Sequence, residues 1–533
     1  MKIDIDNASF QFVAFGLAAA VVASFNSSRL WRSVVLLVSS VVFLVLLAHN
    51  PVVLLPLAGF LLLGYAAIAL LEHGWSKSFI VSLAAILVTY IWLKKYTFLP
   101  EGIFLHFPYF TLGLSYIFFR VLHLLIETSD RREKQHLGPA AYLLYTLNFT
   151  TLVSGPIQRY AEFARDQFAR EPIPLGPRLI GLQLERIVRG FFKVNVLAML
   201  FDMVRADALA QMYQPLPLSL KLYAAFRLAI VYPLFLYSNF SGYIDIVIAL
   251  ARLLRGRLPE NFDRPFSASS VLDFWNRWHI TLSDWLKTYV FNPLLVALMR
   301  RISSVAVQPF LAVFCFFVTF FLIGLWHGRT PEFIVFGLLT GGGMSINKLW
   351  QLGLARAMGL KSYKGLAKNP IYAAFGRGLN FIWFAFTLFW FWGDWKQIVR
   401  VFDALTLVQW LAVWIAAWLA ATVVLAVWEW LRAILLSIWT FEGPCLSAAM
   451  PVSFTRLPSA LQLLSRGSCS TNPPLALSTK RFRCVGRQPN LAAIGFATAL
   501  ALSLYQFNEQ VSFVGQQPGY LSHREGDCWR GSS

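Results

Sequence analysis

The chain has 533 residues, of which 57% are hydrophobic and 14% charged, with 47 Phe and 19 Trp. Ordinary soluble domains carry roughly 25% charged and roughly 45–50% apolar residues, so a mean hydropathy of +0.60 is more than one buried core can absorb. Composition therefore excludes a soluble globular protein, a disordered chain, a coiled coil and a disulfide-stapled scaffold, and indicates a polytopic membrane protein. The net charge of +20 lies on no basic stripe along a polar element. It reads as the loop bias of a membrane protein beside anionic lipid, and not as nucleic-acid binding. The five Cys show neither CxxC nor Cys/His ligand spacing, so no metal site is expected.

In chain order, the N-terminus lacks the basic region and small-residue cleavage site of a signal peptide, and the first apolar run, 10–25, reads as a retained span. Further runs follow at 34–48, 51–72, 78–93, 103–126, 186–204, 219–251, 306–326, 331–350, 375–393 and 405–439. Several are marginal against the roughly 20 residues a span needs. The expectation is an all-α protein with about 10–12 transmembrane helices, together with re-entrant or amphipathic segments around a central tunnel. One such segment is 139–155, with Arg131, Arg132 and Lys134 before it and Arg159, Arg165, Arg170, Arg178, Arg186, Arg189 and Lys193 after it. The positive-inside bias puts both flanks on one side, which predicts re-entry. A second is 251–290, where ten of forty residues are charged and Trp275, Trp278 and Trp285 are interleaved; it reads either as a cytoplasmic loop with interfacial Trp anchors or as a broken or amphipathic helix dipping into a protected cavity. From about Phe441 the composition turns to Ser, Pro, Arg and Cys, so the chain divides into a membrane domain, 1–440, and a weakly ordered tail, 441–533.

Two of the eight His stand out. His327 closes the apolar run from Phe310 to Trp326. An ionisable group there is expensive unless it is paired or faces a cavity, and burial favours the neutral imidazole that a general base requires. An interfacial Trp-His pair is the other reading. Gly324 and Gly328 flank it and would let a substrate approach. If the segment around His279 is helical, Trp275, His279 and Ser283 share one face, as suits a tunnel wall; a structural hydrogen bond to Asn276 or Ser283 is the alternative.

Two sequence blocks are more specific than either His. The first comprises Tyr237-Ser-Asn-Phe-Ser-Gly-Tyr-Ile-Asp245, Arg257-Leu-Pro-Glu-Asn-Phe262 and Phe274-Trp-Asn-Arg-Trp-His-Ile-Thr-Leu-Ser283. The second is Gly324-Leu-Trp-His-Gly328. With Leu112-Gly-Leu-Ser-Tyr116 and Ser154-Gly-Pro-Ile-Gln-Arg159, they resemble the membrane-bound O-acyltransferase family over roughly residues 80–400, in particular its bacterial branch of alginate O-acetyltransferases and D-alanyl transfer proteins. Asn276, Lys287-Thr288 and Thr340 depart from that branch's usual residues.

The resemblance implies that His327 acts as the catalytic base and His279 in support. Trp326, Asn276, Arg277 and Trp278 are the implied substrate-contacting residues. Arg252, Arg255, Arg257 and Arg277 would favour an anionic thioester donor, such as acetyl-CoA or an acyl carrier protein, with a helix-end or loop role as the other reading. The acceptor would be a hydroxyl of an extracytoplasmic polysaccharide or its carrier, reached from the plasma (cell inner) membrane. A periplasmic acyltransferase is a further implied partner, and no metal or redox cofactor is required. D-alanyl transfer to teichoic acid, lipid O-acylation and a non-enzymatic transporter remain as alternatives.

Overall fold

The computed structural model describes residues 9–441 apart from 49, 106, 108, 110, 131–135, 303 and 305, with side chains given through 435. The expected tail, 441–533, therefore lies outside the described residues beyond Phe441, as do Arg131, Arg132 and Lys134 of the first basic flank. The chain forms two units, Met1–Val427 and Trp428–Ser533. Of the second, the described part is the end of a helix, where Arg432 pairs with Glu429 at 3.1 Å. Every other described element lies within the first unit.

Among the described residues every regular element is helical. Five helices are long and apolar enough to cross a membrane: Arg29–Ala48, Pro51–Glu72, Leu218–Leu253, Gln308–His327 and Leu407–Leu435. Phe10–Ser24 and Ser78–Lys94 are apolar but shorter. The other expected runs fold into helices that are broken, shorter or more polar. This is an all-α, multi-pass membrane protein. Helices prevail because in hydrocarbon each backbone N–H and C=O must be satisfied within its own segment.

Leu218–Leu253 is the central element. Two-thirds of its most apolar stretch is buried, against about one-third for each of the other four, whose exposed Val38, Leu62, Phe314 and Leu419 suit contact with lipid tails. The motif around Gly242 explains how the helix Pro177–Phe192 docks on it. A Cβ added at Gly190 would lie 2.6 Å from the Gly242 carbonyl oxygen, and one at Gly242 would lie 2.7 Å from that of Gly190. The two backbones can therefore cross in contact only without side chains at these positions. One turn on, buried Asp245 accepts from Arg186 Nε at 2.9 Å and Lys193 Nζ at 2.8 Å, while Arg186 also grips Glu260 with both terminal nitrogens. A buried carboxylate is tolerable when cations compensate it in this way.

The expected re-entrant stretch holds a helix, Pro139–Thr146, and a short turn, Phe149–Thr151. Eight residues rise about 12 Å, well under a hydrocarbon core of about 30 Å. Buried Arg120 ends this helix by donating to the carbonyls of Tyr145 at 3.1 Å, Thr146 at 2.8 Å and Thr151 at 2.6 Å. Those oxygens would otherwise be orphaned in an apolar interior.

Candidate active site

The segment 251–290 is a compact knot and not one amphipathic helix. A helix over Val271–Trp275 stops, His279 takes φ 46° and ψ 52°, and a new helix runs over Ile280–Leu286. The expected face of Trp275, His279 and Ser283 at helical spacing is therefore not formed. The chain reverses because 261–263 pairs with it: Ile280 N donates to the Asn261 carbonyl at 3.0 Å, and Asp263 N to that of Arg277 at 2.9 Å. A left-handed φ at a non-glycine residue is costly and persists only where the surroundings enforce it.

Asn261 is the enforcing residue, and it is fully buried. Its Oδ1 accepts from Thr281 N at 3.1 Å and Thr281 Oγ1 at 2.9 Å, and lies 3.3 Å from His279 Nδ1. The backbone N–H of Thr281 can only donate, so the amide orientation is fixed and the third contact requires a proton on Nδ1 of His279. Its Nε2 is left with a lone pair. His279 itself is 2% exposed, and burial pushes its imidazole down to about 3, because desolvation penalises the charged ring.

His327 is the last residue of the helix Gln308–His327 and is half-buried. Its ring meets Phe336 and Phe391 edge-on at 5.8 and 5.2 Å and Trp326 at 4.7 Å between centroids. The same Trp326 lies 6.2 Å from His279. The fold thus sets residues 48 positions apart against one indole, with aromatic walls around both. Trp326 Nε1, Ser283 Oγ and Asn261 Nδ2 are buried polar atoms without a partner among the described residues, and such groups are costly unless something accepts from them.

The helix end carrying His327 is held from outside by residues that the sequence did not single out. Lys94 Nζ donates to the Trp326 carbonyl and, at 3.2 Å, to the Tyr90 hydroxyl. The Tyr96 hydroxyl donates to the Leu325 carbonyl at 2.8 Å, and Thr97 bonds the Arg329 carbonyl through N and Oγ1, each at 3.0 Å. Donors at a helix C-terminus satisfy its free carbonyls. Nothing in the primary sequence links 94–97 to 325–329.

The remaining expected positions diverge. Asn276 is exposed at the end of the Val271–Trp275 helix, so neither the suggested bond to His279 nor a place beside the two imidazoles is formed. Arg277 is committed to Asp273 at 2.9 Å. Trp278 is buried and stacks on Phe274 at 5.6 Å, as part of the aromatic core. Gly324 and Gly328 do not open space for a substrate. A Cβ at Gly324 would run into the Gly337 backbone of the neighbouring helix Pro331–Met358, and one at Gly328 into the Phe333 ring. These glycines serve helix contact.

Residues 60–375, more than half of the chain, match the model of the membrane-bound O-acyltransferase family, and the chain belongs to that family. Both His and the Asn261 knot lie inside the match. The chain is 29% identical over 227 residues to the teichoic acid D-alanyltransferase of Bacillus subtilis, covering 43% of this chain and 56% of that protein. It is 31% identical over 209 residues to the peptidoglycan O-acetyltransferase of Helicobacter pylori, covering 39% and 37% respectively. A protein of Pseudomonas syringae pv. tomato named "Probable alginate O-acetylase" is 30% identical over 237 residues, covering 44% and 42%. The chain spans about half the length of the curated relatives it matches.

Proposed function

We propose that the protein is an O-acyltransferase of the cell inner membrane. It moves an acyl group, acetyl in the leading case, from a cytoplasmic thioester such as acetyl-CoA or an acyl carrier protein to a hydroxyl of an extracytoplasmic polysaccharide or its carrier. The observation that carries this reading is the convergence of His327 and His279 on Trp326, in an aromatic setting with unpartnered polar atoms. Family membership and relatives whose names include O-acetyltransferase support it.

His327 takes the proton of the acceptor hydroxyl as that oxygen attacks the thioester carbonyl. The C–O bond forms and the C–S bond breaks. The thiolate leaves and recovers the proton from the imidazolium, so no cofactor beyond the thioester is consumed. His279, with its Nε2 lone pair, accepts a hydrogen bond from donor or acceptor and positions it. Trp326 Nε1 is a donor suited to the oxygen that gains charge. A second reading, transfer of D-alanine to teichoic acid, is favoured by the Bacillus subtilis likeness and uses the same residues.

The test is purified protein in vesicles with labelled acetyl-CoA inside and polysaccharide outside. Hydroxylamine-labile acetyl ester on the polymer is expected, with a loss of about 10²–10⁴-fold for His327→Ala. The same vesicles charged instead with a D-alanyl thioester of a carrier protein inside and teichoic acid outside test the second reading by base-labile D-alanine on the polymer, and acetylated lipid in the first assay would select a third. Activity of His327→Ala equal to wild type would remove the base assignment.

A further inference from the structure

The helices Pro331–Met358 and Pro370–Thr387 are joined by a nine-residue helix, Leu360–Lys368. Gly359, with φ 82°, ends the first and turns the chain into the connector. The connector carries Lys361, Lys364 and Lys368, all exposed. At i, i+3 and i+7 they share one face, while Tyr363 and Leu366 lie on another and are half-buried. Between Glu332 and Asp394 the chain holds Lys348, Arg356, Lys361, Lys364, Lys368 and Arg377 and no carboxylate. Among the described residues none of the three connector lysines has an ion-pair partner.

The connector stands at one end of the membrane helices. Arg356, in the last turn of Pro331–Met358, places its guanidinium 5.3 Å from the centroid of the Phe310 ring, at the start of Gln308–His327. Arg300 and Arg301, both exposed, close the preceding helix Asn292–Arg301 and add to the same end. Exposed Trp350 donates through Nε1 to the Tyr372 hydroxyl at 3.1 Å, an amphipathic pair of the kind found where hydrocarbon meets headgroups. Beside the lysines the apolar Met358, Leu360 and Ile371 are also exposed. Bare in water these side chains are unfavourable. At the boundary of acyl chains and headgroups they are immersed, while lysine stems reach outward and hold their ammonium groups among lipid phosphates. That combination fits a lipid surface better than a water-soluble acidic protein, which would leave the apolar side chains uncovered.

We infer that the helix Leu360–Lys368 lies in the membrane interface and gathers anionic phospholipid headgroups around this end of the bundle. Unpaired positive charge complements their phosphates, and a Lys- and Arg-rich connection belongs to the cytoplasmic leaflet. The inference is read by lipid binding without turnover, so it stands or falls separately from the acyl-transfer reading.

The experiment places the full chain in nanodiscs of phosphatidylcholine with and without phosphatidylglycerol. Native mass spectrometry counts the lipids retained, and hydrogen–deuterium exchange follows residues 359–369. The variants are the triple Lys361→Gln, Lys364→Gln, Lys368→Gln and the same triple to Arg, each with its thermal transition checked first. Wild type is expected to retain phosphatidylglycerol over phosphatidylcholine and to exchange more slowly at 359–369 when phosphatidylglycerol is present. The Gln triple should lower that preference about tenfold or more, since each Lys near an anionic surface is worth roughly a factor of five, and the Arg triple should keep it. Equal preference in wild type and the Gln triple overturns the inference, as does exchange of wild-type 359–369 that is indifferent to phosphatidylglycerol. Loss of the preference in the Arg triple as well would also overturn it, because charge would then not be the cause. Protection of 359–369 by an added acidic carrier protein, with no lipid preference, would give the face to a protein instead.

Discussion

Asn261→Ala tests the knot that orients His279. The substitution deletes one oxygen that serves three donors, Thr281 N at 3.1 Å, Thr281 Oγ1 at 2.9 Å and His279 Nδ1 at 3.3 Å, at a fully buried position. The Thr281 hydroxyl can rotate, so it loses roughly 1 kcal/mol; the N–H groups of Thr281 and His279 cannot, and each stranded donor costs about 1–3 kcal/mol. The expected loss is about 3–7 kcal/mol, a large part of a typical stability of about 5–15 kcal/mol. Chemical or thermal unfolding in detergent reads it, with exposed Asn276→Ala as the control, expected within about 0.5 kcal/mol of wild type. Acyl transfer by whatever fraction remains folded should also fall, because His279 is freed from its tautomer and its left-handed backbone. If Asn261→Ala unfolds within about 1 kcal/mol of wild type, less than one stranded donor costs, Asn261 does not hold the knot and the assigned lone pair on Nε2 of His279 loses its basis.

Three further outcomes are expected. His279 is held neutral, with its folded value near 3 against about 6.5 in an unfolded chain. The unfolded state therefore binds the proton first: stability is complete above about pH 6.5 and declines as pH falls toward 3, by about 2 kcal/mol at pH 5. Comparing the pH dependence of unfolding for wild type and His279→Gln checks this, since the variant should lack that component. Tyr96→Phe, which removes the donor to the Leu325 carbonyl, should cost about 0.5–1.5 kcal/mol and lower kcat more than KM, because it loosens the helix end bearing His327; unchanged kinetics would show that this contact does not position the base. Gly324→Val should disrupt the helix pair by more than about 2 kcal/mol, because the added carbon meets the Gly337 backbone, which cannot move aside as a side chain can. Wild-type expression and melting of Gly324→Val would refute that packing.

The sequence by itself determined the fold class and the base candidate. Apolar content over this length admits few alternatives to a bundle of helices in lipid, and an ionisable residue ending the run Phe310–Trp326 is conspicuous because lipid makes it expensive. It also determined that the segment around His279 differs from a simple span, through its density of charge and Trp. It did not determine how that segment folds. Helical periodicity describes neighbours within one element, whereas His279 takes its conformation from Asn261, eighteen positions away, through a buried hydrogen bond with no sequence period. The same reason hid Lys94, Tyr96 and Thr97, which reach carbonyls about 230 positions away, and gave Gly324 a substrate-facing role that the neighbouring helix takes instead. Only the tertiary structure decided which polar groups meet, because partners in a desolvated interior are chosen by how helices pack and not by their spacing along the chain.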